Sequence, residues 1–126
     1  MAATEPGQVI HEFCALFNAG DVDALVDACY EDGAMINPTP ADAPLVGKPA
    51  ITEALKGFVG LGGTLRIVAT KTVANGDIAL TQSRWRLDIP AGDPMENVSA
   101  EIVRRQPDGT WKYVVDNPWG GLIVDA

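Results

Sequence analysis

The chain contains few of the residues that build metal and disulfide sites. It has one histidine and two cysteines among its 126 residues. A protein-built zinc or iron site needs several clustered His, Cys or carboxylate ligands, so we expect no metal and no cofactor. Cys14 and Cys29 both lie in apolar helical stripes, which indicates buried free thiols rather than a disulfide framework. The absence of a Gly-x-Ser-x-Gly sequence excludes the nucleophile elbow of serine hydrolases.

Positive charge and long apolar runs are also scarce. Lys and Arg number 9 against 17 Asp and Glu, so the net charge is −8. Such a surface repels phosphate groups, which argues against nucleic acid and membranes as partners. No apolar run reaches the roughly 18 residues of a membrane span, and the first residues lack a signal-peptide pattern, so we expect a cytoplasmic protein. The length predicts a single domain over residues 1–126.

The first half of the chain has the apolar periodicity of helices. Residues 8–19 and 21–33 each carry apolar side chains at helical spacing, and Gly20 and Asp21 supply a C-cap and an N-cap between them. A short strand at 34–37 and a Pro-rich loop at 38–47 follow. A third helix begins at Pro49 and ends in the glycines after residue 56. The sequence therefore predicts three helices before most of the sheet.

The second half has the pattern of four strands, at about 64–74, 77–89, 95–106 and 111–119. The first and last separators contain Asn75-Gly76 and Asp108-Gly109, which are strong hairpin signals. Helices followed by an antiparallel meander indicate an α+β fold with the helices on one face of the sheet. A long sheet coils, and its concave face leaves an internal pocket if the helices cover it incompletely.

Three local segments carry a family resemblance. They are residues 17–25 (FNAGDVDAL), 47–51 (GKPAI) and 104–112 (RRQPDGTWK). Together with the order of elements they make the chain similar to the SnoaL-like branch of the NTF2-like superfamily, over nearly its whole length. The resemblance implies a cystatin-like cone with an internal pocket, and a homodimer formed through the convex face of the sheet. The superfamily hosts isomerases, cyclases, hydrolases, dehydratases and binding modules, so the fold alone does not assign a reaction.

The ketosteroid isomerases of this superfamily allow a comparison residue by residue. Their helix-1 tyrosine corresponds to Phe13, their basic aspartate to Asn37, and their protonated aspartate to Glu101. Phe13 cannot donate a hydrogen bond, and Asn37 cannot accept a proton at neutral pH. The chain is therefore not expected to be a typical ketosteroid isomerase.

Candidate chemical residues lie on the strands, where side chains alternate between the two faces. The resemblance implies that Arg84, Glu101 and Asp116 face inward, whereas Trp85 and Ile102 favour the opposite faces of their strands. In the inward arrangement Asp116 is a general base and Glu101 is a protonated donor or second acid. Arg84 then orients the substrate or stabilises negative charge. Alternatively, the three residues form a structural charge network, or Arg84 lies at an exposed edge.

The remaining candidates are ligand contacts. Aromatic pocket walls favour an apolar or amphipathic ligand. Gln82 shares the strand face of Arg84, Ser99 that of Glu101, and Val114 that of Asp116. The expected ligand-binding residues are Phe13, Phe17, Asn37, Phe58, Gln82, Ser99 and Val114. Two functions stay open: a cofactor-independent isomerase, cyclase or hydratase that acts on a small apolar substrate, and a non-catalytic ligand-binding or dimerisation module.

Overall fold

The structure is a computed structural model that describes residues 2–123. The helices are α1 (Val9–Ala19), α2 (Val22–Cys29) and α3 (Lys48–Val59), and a 3-10 turn at Pro6–Gln8 precedes them. The strands are β1 (Tyr30–Ile36), β2 (Leu45–Val46), β3 (Thr64–Asn75), β4 (Ile78–Asp88), β5 (Met95–Val98), β6 (Ala100–Arg105) and β7 (Trp111–Asn117).

The helix ends follow from local chemistry. Gly20 ends α1 in the left-handed conformation, with φ of 74°, which glycine adopts without steric cost. The Asp21 side chain then accepts a hydrogen bond from the Ala24 N–H at 3.2 Å, which caps the start of α2. Pro49 lies in the first turn of α3, where its missing N–H leaves no hydrogen bond unmade.

The strands form one sheet in the order β2-β1-β7-β6-β4-β3, and β5 also pairs with β4. The expected hairpins produce the antiparallel pairs β3–β4 and β6–β7, with β4 and β6 also antiparallel. β1 pairs with β7 in parallel, so the sheet is mixed. The expected α+β class, with three helices and a curved sheet, is confirmed.

The helices cover the concave face of the sheet and form the core with it. Leu25 and Cys29 of α2 and Ile51 of α3 are fully buried there. Both cysteines are free. Within residues 2–123, every helix is too short or too polar to cross a bilayer.

Two element boundaries differ from the expectation. α2 ends at Cys29 rather than near Gly33, and β1 begins at Tyr30, because Tyr30 pairs with Tyr113 of β7. This pairing is between residues distant in sequence, so local periodicity does not reveal it. The expected strand 95–106 is also divided at Ser99, whose N–H donates to the Ser83 carbonyl at 2.7 Å.

Candidate functional site

A cavity of about 70 Å³ lies between α1, α3 and the concave face of the sheet. Its aromatic wall residues are Phe13, Phe17, Phe58, Trp85, Tyr113 and Trp119. Its aliphatic wall residues are Ile10, Ile36, Leu55, Leu65, Ile67, Leu87 and Pro118, and its polar ones are Ser83, Ser99, Glu101 and Asp116. The cavity is therefore mainly apolar, with its ionisable groups confined to β6 and β7.

A β-bulge brings Asp116 into the cavity wall. In the β6–β7 ladder Val103 pairs with Tyr113 and Ile102 pairs with Val115, so Val114 is an extra residue on β7. A bulge breaks the alternation of side chains between the two faces. Tyr113 and Asp116, three positions apart, consequently both face the cavity, and their exposed fractions are 1% and 5%.

Glu101 lies directly opposite Asp116 in the ladder, and opposite Thr81 on its other side. The Thr81 hydroxyl donates to Glu101 Oε1 at 2.8 Å, whereas buried Oε2 has no hydrogen-bond partner among residues 2–123. Burial and the nearby Asp116 charge raise the pKa of Glu101 to about 8, and the hydroxyls of Ser99 and Thr81 oppose the rise. The side chain is thus mostly neutral at pH 7.

Asp116 has a hydrogen-bond donor of its own, the hydroxyl of Tyr30, which donates to Oδ2. Burial raises the pKa of Asp116 to about 6, and the Tyr30 hydrogen bond opposes the rise because it stabilises the carboxylate. At pH 7 Asp116 is therefore mostly ionised beside a mostly neutral Glu101.

Two tyrosines lie beside the acids: Tyr113 lines the cavity, and Tyr30 lies behind its wall, bonded to Asp116. The rings of Tyr30 and Tyr113 lie 5.3 Å apart, and Phe13 packs edge-on against both. Burial is the main cause that raises the pKa of each phenol well above 10. The Tyr113 hydroxyl is buried without a hydrogen-bond partner in the described part of the chain. Sequence reasoning missed Tyr30 because it was expected within a helix, and Tyr113 was not among the expected site residues.

A serine pair lies beside the acids. The hydroxyls of Ser83 and Ser99 are 2.7 Å apart, and the Ser83 N–H donates to Ser99 Oγ at 3.0 Å. Ser99 thus reaches the cavity, as expected. Ser83 was not expected there, although its place on the same strand face as Trp85 was a usable signal.

Several expected orientations are wrong. Arg84 and Gln82 are exposed on the convex face, because β4 turns its other face, which includes Trp85 and Leu87, toward the cavity. Val114 is the bulge residue and does not line the cavity. Asn37 follows β1, and its N–H donates to the Asp116 carbonyl at 2.9 Å, but its side chain lies outside the cavity wall.

The other expected residues meet at the cavity. Phe13, Phe17 and Phe58 form part of its aromatic wall, and Glu101 and Asp116 form its acidic end. The expected charge network of Arg84 with these acids does not form, because Arg84 lies on the opposite face of the sheet. No group of three or more His, Cys, Asp or Glu residues within residues 2–123 is arranged to hold a metal ion.

Several solved structures have the same fold as this chain. An NTF2-like protein of unknown function from Pseudomonas putida is 20% identical, with 87% of this chain and 80% of that chain covered and a TM-score of 0.73. An NTF2-like protein with a cystatin-like fold from Novosphingobium aromaticivorans is 19% identical, with 88% and 76% covered and a TM-score of 0.71. A proposed dehydratase of the NTF2-like family from Streptomyces avermitilis is 16% identical, with 93% and 94% covered and a TM-score of 0.73.

These identities show the fold and not the reaction. A search of curated proteins found no match. The family model for the SnoaL-like domain matches residues 10–114, which is most of the chain. The protein therefore belongs to the SnoaL-like domain family and has the NTF2-like fold.

Proposed function

We propose that the cavity binds a small, largely apolar molecule and moves a proton on it without a cofactor. One observation carries this proposal: two buried carboxyl groups, Glu101 and Asp116, face each other on neighbouring strands of an otherwise apolar cavity. The pKa of Asp116 is raised to about 6 and that of Glu101 to about 8. When the pH lies between these two pKa values, Asp116 is ionised and can act as a base, while Glu101 is protonated and can act as an acid. General acid–base catalysis needs this combination.

The chemistry that suits this pair is proton abstraction next to a carbonyl group. Asp116 takes a proton from the α-carbon, the C–H electrons form a carbon–carbon double bond, and the carbonyl oxygen receives the Glu101 proton. The enol O–H then returns its proton to Glu101 as Asp116 delivers its proton to the same or another carbon, which restores the carbonyl group and completes an exchange or an isomerisation. Cyclisation and dehydration can begin with the same step, and the Streptomyces avermitilis protein with this fold is a proposed dehydratase.

The size of the cavity limits the ligand. About 70 Å³ holds roughly five to seven water molecules, at about 10–15 Å³ for each, which suits a compact single-ring molecule. The stacked rings of Phe13 and Phe17, with centroids 6.0 Å apart, belong to the apolar wall, as do Trp85 and Trp119. A ligand with one polar group is then oriented with that group toward Glu101 and Asp116.

Deuterium exchange into cyclohexanone tests proton transfer without knowledge of the natural substrate. NMR in D₂O at pH 7 follows the loss of the α-protons with wild type, Asp116→Asn and Asp93→Asn as the control. Asp93 is an exposed acid in the loop after β4. We expect wild type and the control to accelerate exchange, and Asp116→Asn to lose about 100-fold or more of that acceleration. No acceleration by wild type, or an equal rate with Asp116→Asn, would contradict the proposal.

A non-catalytic ligand-binding module is the second candidate. The small cavity and the Tyr30 hydroxyl bound to Asp116 favour it, because they limit access to the base. The same experiment separates the two functions. Binding of cyclohexanone without α-proton exchange identifies the module, and binding with exchange identifies the enzyme.

We also propose that the protein forms a homodimer through the convex face of the sheet. A row of apolar side chains crosses four strands there, because Val73 pairs with Leu80, Leu80 with Ile102, and Ile102 with Val115. Val73 and Leu80 are 56% and 50% exposed. A second copy of the chain would cover this row, since contiguous exposed apolar surface often marks an interface.

A further inference from the structure

Two cationic side chains without a partner lie at one groove on the convex face of the sheet. The chain has nine lysines and arginines. Lys112 donates to the Asp27 carbonyl oxygen at 2.9 Å. Six others form ion pairs with carboxylates, namely Lys48, Lys56, Arg66, Arg86, Arg104 and Arg105. Within residues 2–123 the last two, Lys71 and Arg84, have neither a hydrogen bond nor an ion pair, and both line the groove.

The groove has a volume of about 180 Å³ and crosses strands β3, β4 and β5. Lys71 pairs with Gln82, and Arg84 lies between Ala69 on one side and Val98 on the other. Lys71 and Arg84 are therefore diagonal neighbours on one face of the sheet. Such neighbours lie roughly 7–8 Å apart, within reach of each other's long side chains. The two cations thus flank one space, and no carboxylate lines it.

A bulge on β3 places Lys71 on this face. Ile67 lines the internal cavity, and Val68 is an extra residue between the paired positions Ile67 and Ala69. Strict alternation from Ile67 would turn Lys71 toward the cavity as well. The extra residue turns Lys71 to the convex face instead, beside Arg84. One backbone irregularity therefore brings the two cations together.

The protein itself does not supply the negative charge that this pair lacks. Outside the cavity, each acid on the described strands already has a cation of its own, and these acids are Glu31, Asp32, Asp88 and Glu96. A second copy of the chain against the convex face would bring the same occupied acids. The groove therefore suits a separate anionic ligand.

We propose that the groove binds a single phosphate group, either as the free anion or as a small monoester. The Arg84 guanidinium offers two parallel N–H donors to an oxyanion, Lys71 adds a point charge, and the Gln82 amide adds a neutral donor. Two cations balance a phosphate of charge about −2, whereas a carboxylate balances only one of them. The net charge of −8 repels a polyanion elsewhere on the surface.

A ¹H–¹⁵N NMR titration with sodium phosphate at pH 7.5 and constant ionic strength tests the site directly. We expect the amide signals of residues 69–71 and 82–84 to shift in wild type. Arg84→Gln and Lys71→Gln should each weaken binding about tenfold, the effect of one charge-assisted hydrogen bond. Acetate should bind wild type at least about tenfold more weakly than phosphate. Tighter binding of phenyl phosphate than of phosphate would identify a monoester site, and equal binding a site for the free anion.

Lys56→Gln is the matched control, because it removes the same charge from an exposed position on α3, where Lys56 pairs with Glu53 at 3.9 Å. It should bind phosphate as wild type does. Equal weakening in all three variants would overturn the inference, because it would indicate a general effect of charge. Equal affinity for acetate and phosphate would also overturn it. So would the absence of phosphate binding by wild type, the result expected if a second copy filled the groove.

The groove lies on the opposite face of the sheet from the cavity, so the inference goes beyond the proposed function and does not depend on it. Asp116→Asn should bind phosphate as wild type does, whatever its rate of deuterium exchange.

Discussion

Replacement of Glu101 by glutamine should make the protein more stable, by an amount that grows with pH. The pKa of Glu101 rises from the ordinary value of 4.5 to about 8 on folding. Between these two values the folded protein holds a proton that the unfolded chain has released. The contribution of Glu101 to the free energy of unfolding is therefore fully present below pH 4.5, and it is lost as the pH rises toward 8. Glutamine is neutral at every pH and does not incur this loss.

The size of the effect follows from the same values. Each pH unit within the window changes the free energy of unfolding by about 1.4 kcal/mol for one proton. Between pH 5 and pH 7, wild type should lose about 2 to 3 kcal/mol that Glu101→Gln retains. Asp116 contributes to the pH dependence of both proteins, because its pKa of about 6 is also above the ordinary value of 3.8, so its effect cancels in the comparison.

Urea unfolding followed by tryptophan fluorescence at several pH values between 5 and 8 measures the difference. Glu96→Gln is the control, since Glu96 lies on β5 with 65% of its side chain exposed. That variant should follow the wild-type curve. Parallel curves for wild type and Glu101→Gln would refute the reasoning, because they would mean that Glu101 binds its proton equally in the folded and unfolded chains.

Two further predictions concern other parts of the molecule. Tyr30→Phe removes the hydrogen bond that lowers the pKa of Asp116, so the pKa of Asp116 should rise above its value of about 6; carboxyl ¹³C NMR titration measures it, and an unchanged value contradicts the assignment. Leu80→Asp places a charge in the apolar row of the convex face and should weaken the dimer at least about tenfold, with unchanged circular dichroism; a wild type that sediments as a monomer rules out the interface.

Much of the fold could be predicted because its signals are local. Gly20 and Asp21 mark the junction of α1 and α2 by their own backbone and capping preferences. Asn75-Gly76 separates β3 from β4, and Asp108-Gly109 lies in the turn between β6 and β7. Such features need only a few neighbouring residues, so the order of elements and the fold class follow from reading along the chain.

The start of β1 depends instead on a distant partner. Tyr30 follows the apolar stripe of α2 without a breaker, and only its pairing with Tyr113 places it in the sheet. The residue that donates to Asp116 was consequently missed. The helix-1 position of the ketosteroid isomerase tyrosine holds Phe13, whereas Tyr30 lies at the start of β1.

The faces of β4 show how a resemblance can mislead. The family resemblance implied that the Arg84 side chain faces the cavity. That orientation of β4 would also place Gln82 in an apolar cavity and Trp85 in solvent. Burial of Trp85 and Leu87 removes far more apolar surface from water, and Arg84 keeps its hydration on the outside. Hydrophobic burial therefore sets the orientation of this strand.

The bulge on β7 determines which side chains can act together. Strict alternation would bury either Tyr113 with Val115, or Val114 with Asp116, but never Tyr113 with Asp116. The extra residue Val114 allows both to face the cavity, opposite Glu101 on a strand that keeps its alternation from Glu101 to Val103. The polar end of the cavity thus depends on one backbone irregularity. A prediction from strict alternation along β7 could place either Asp116 or Tyr113 in the cavity wall, but not both.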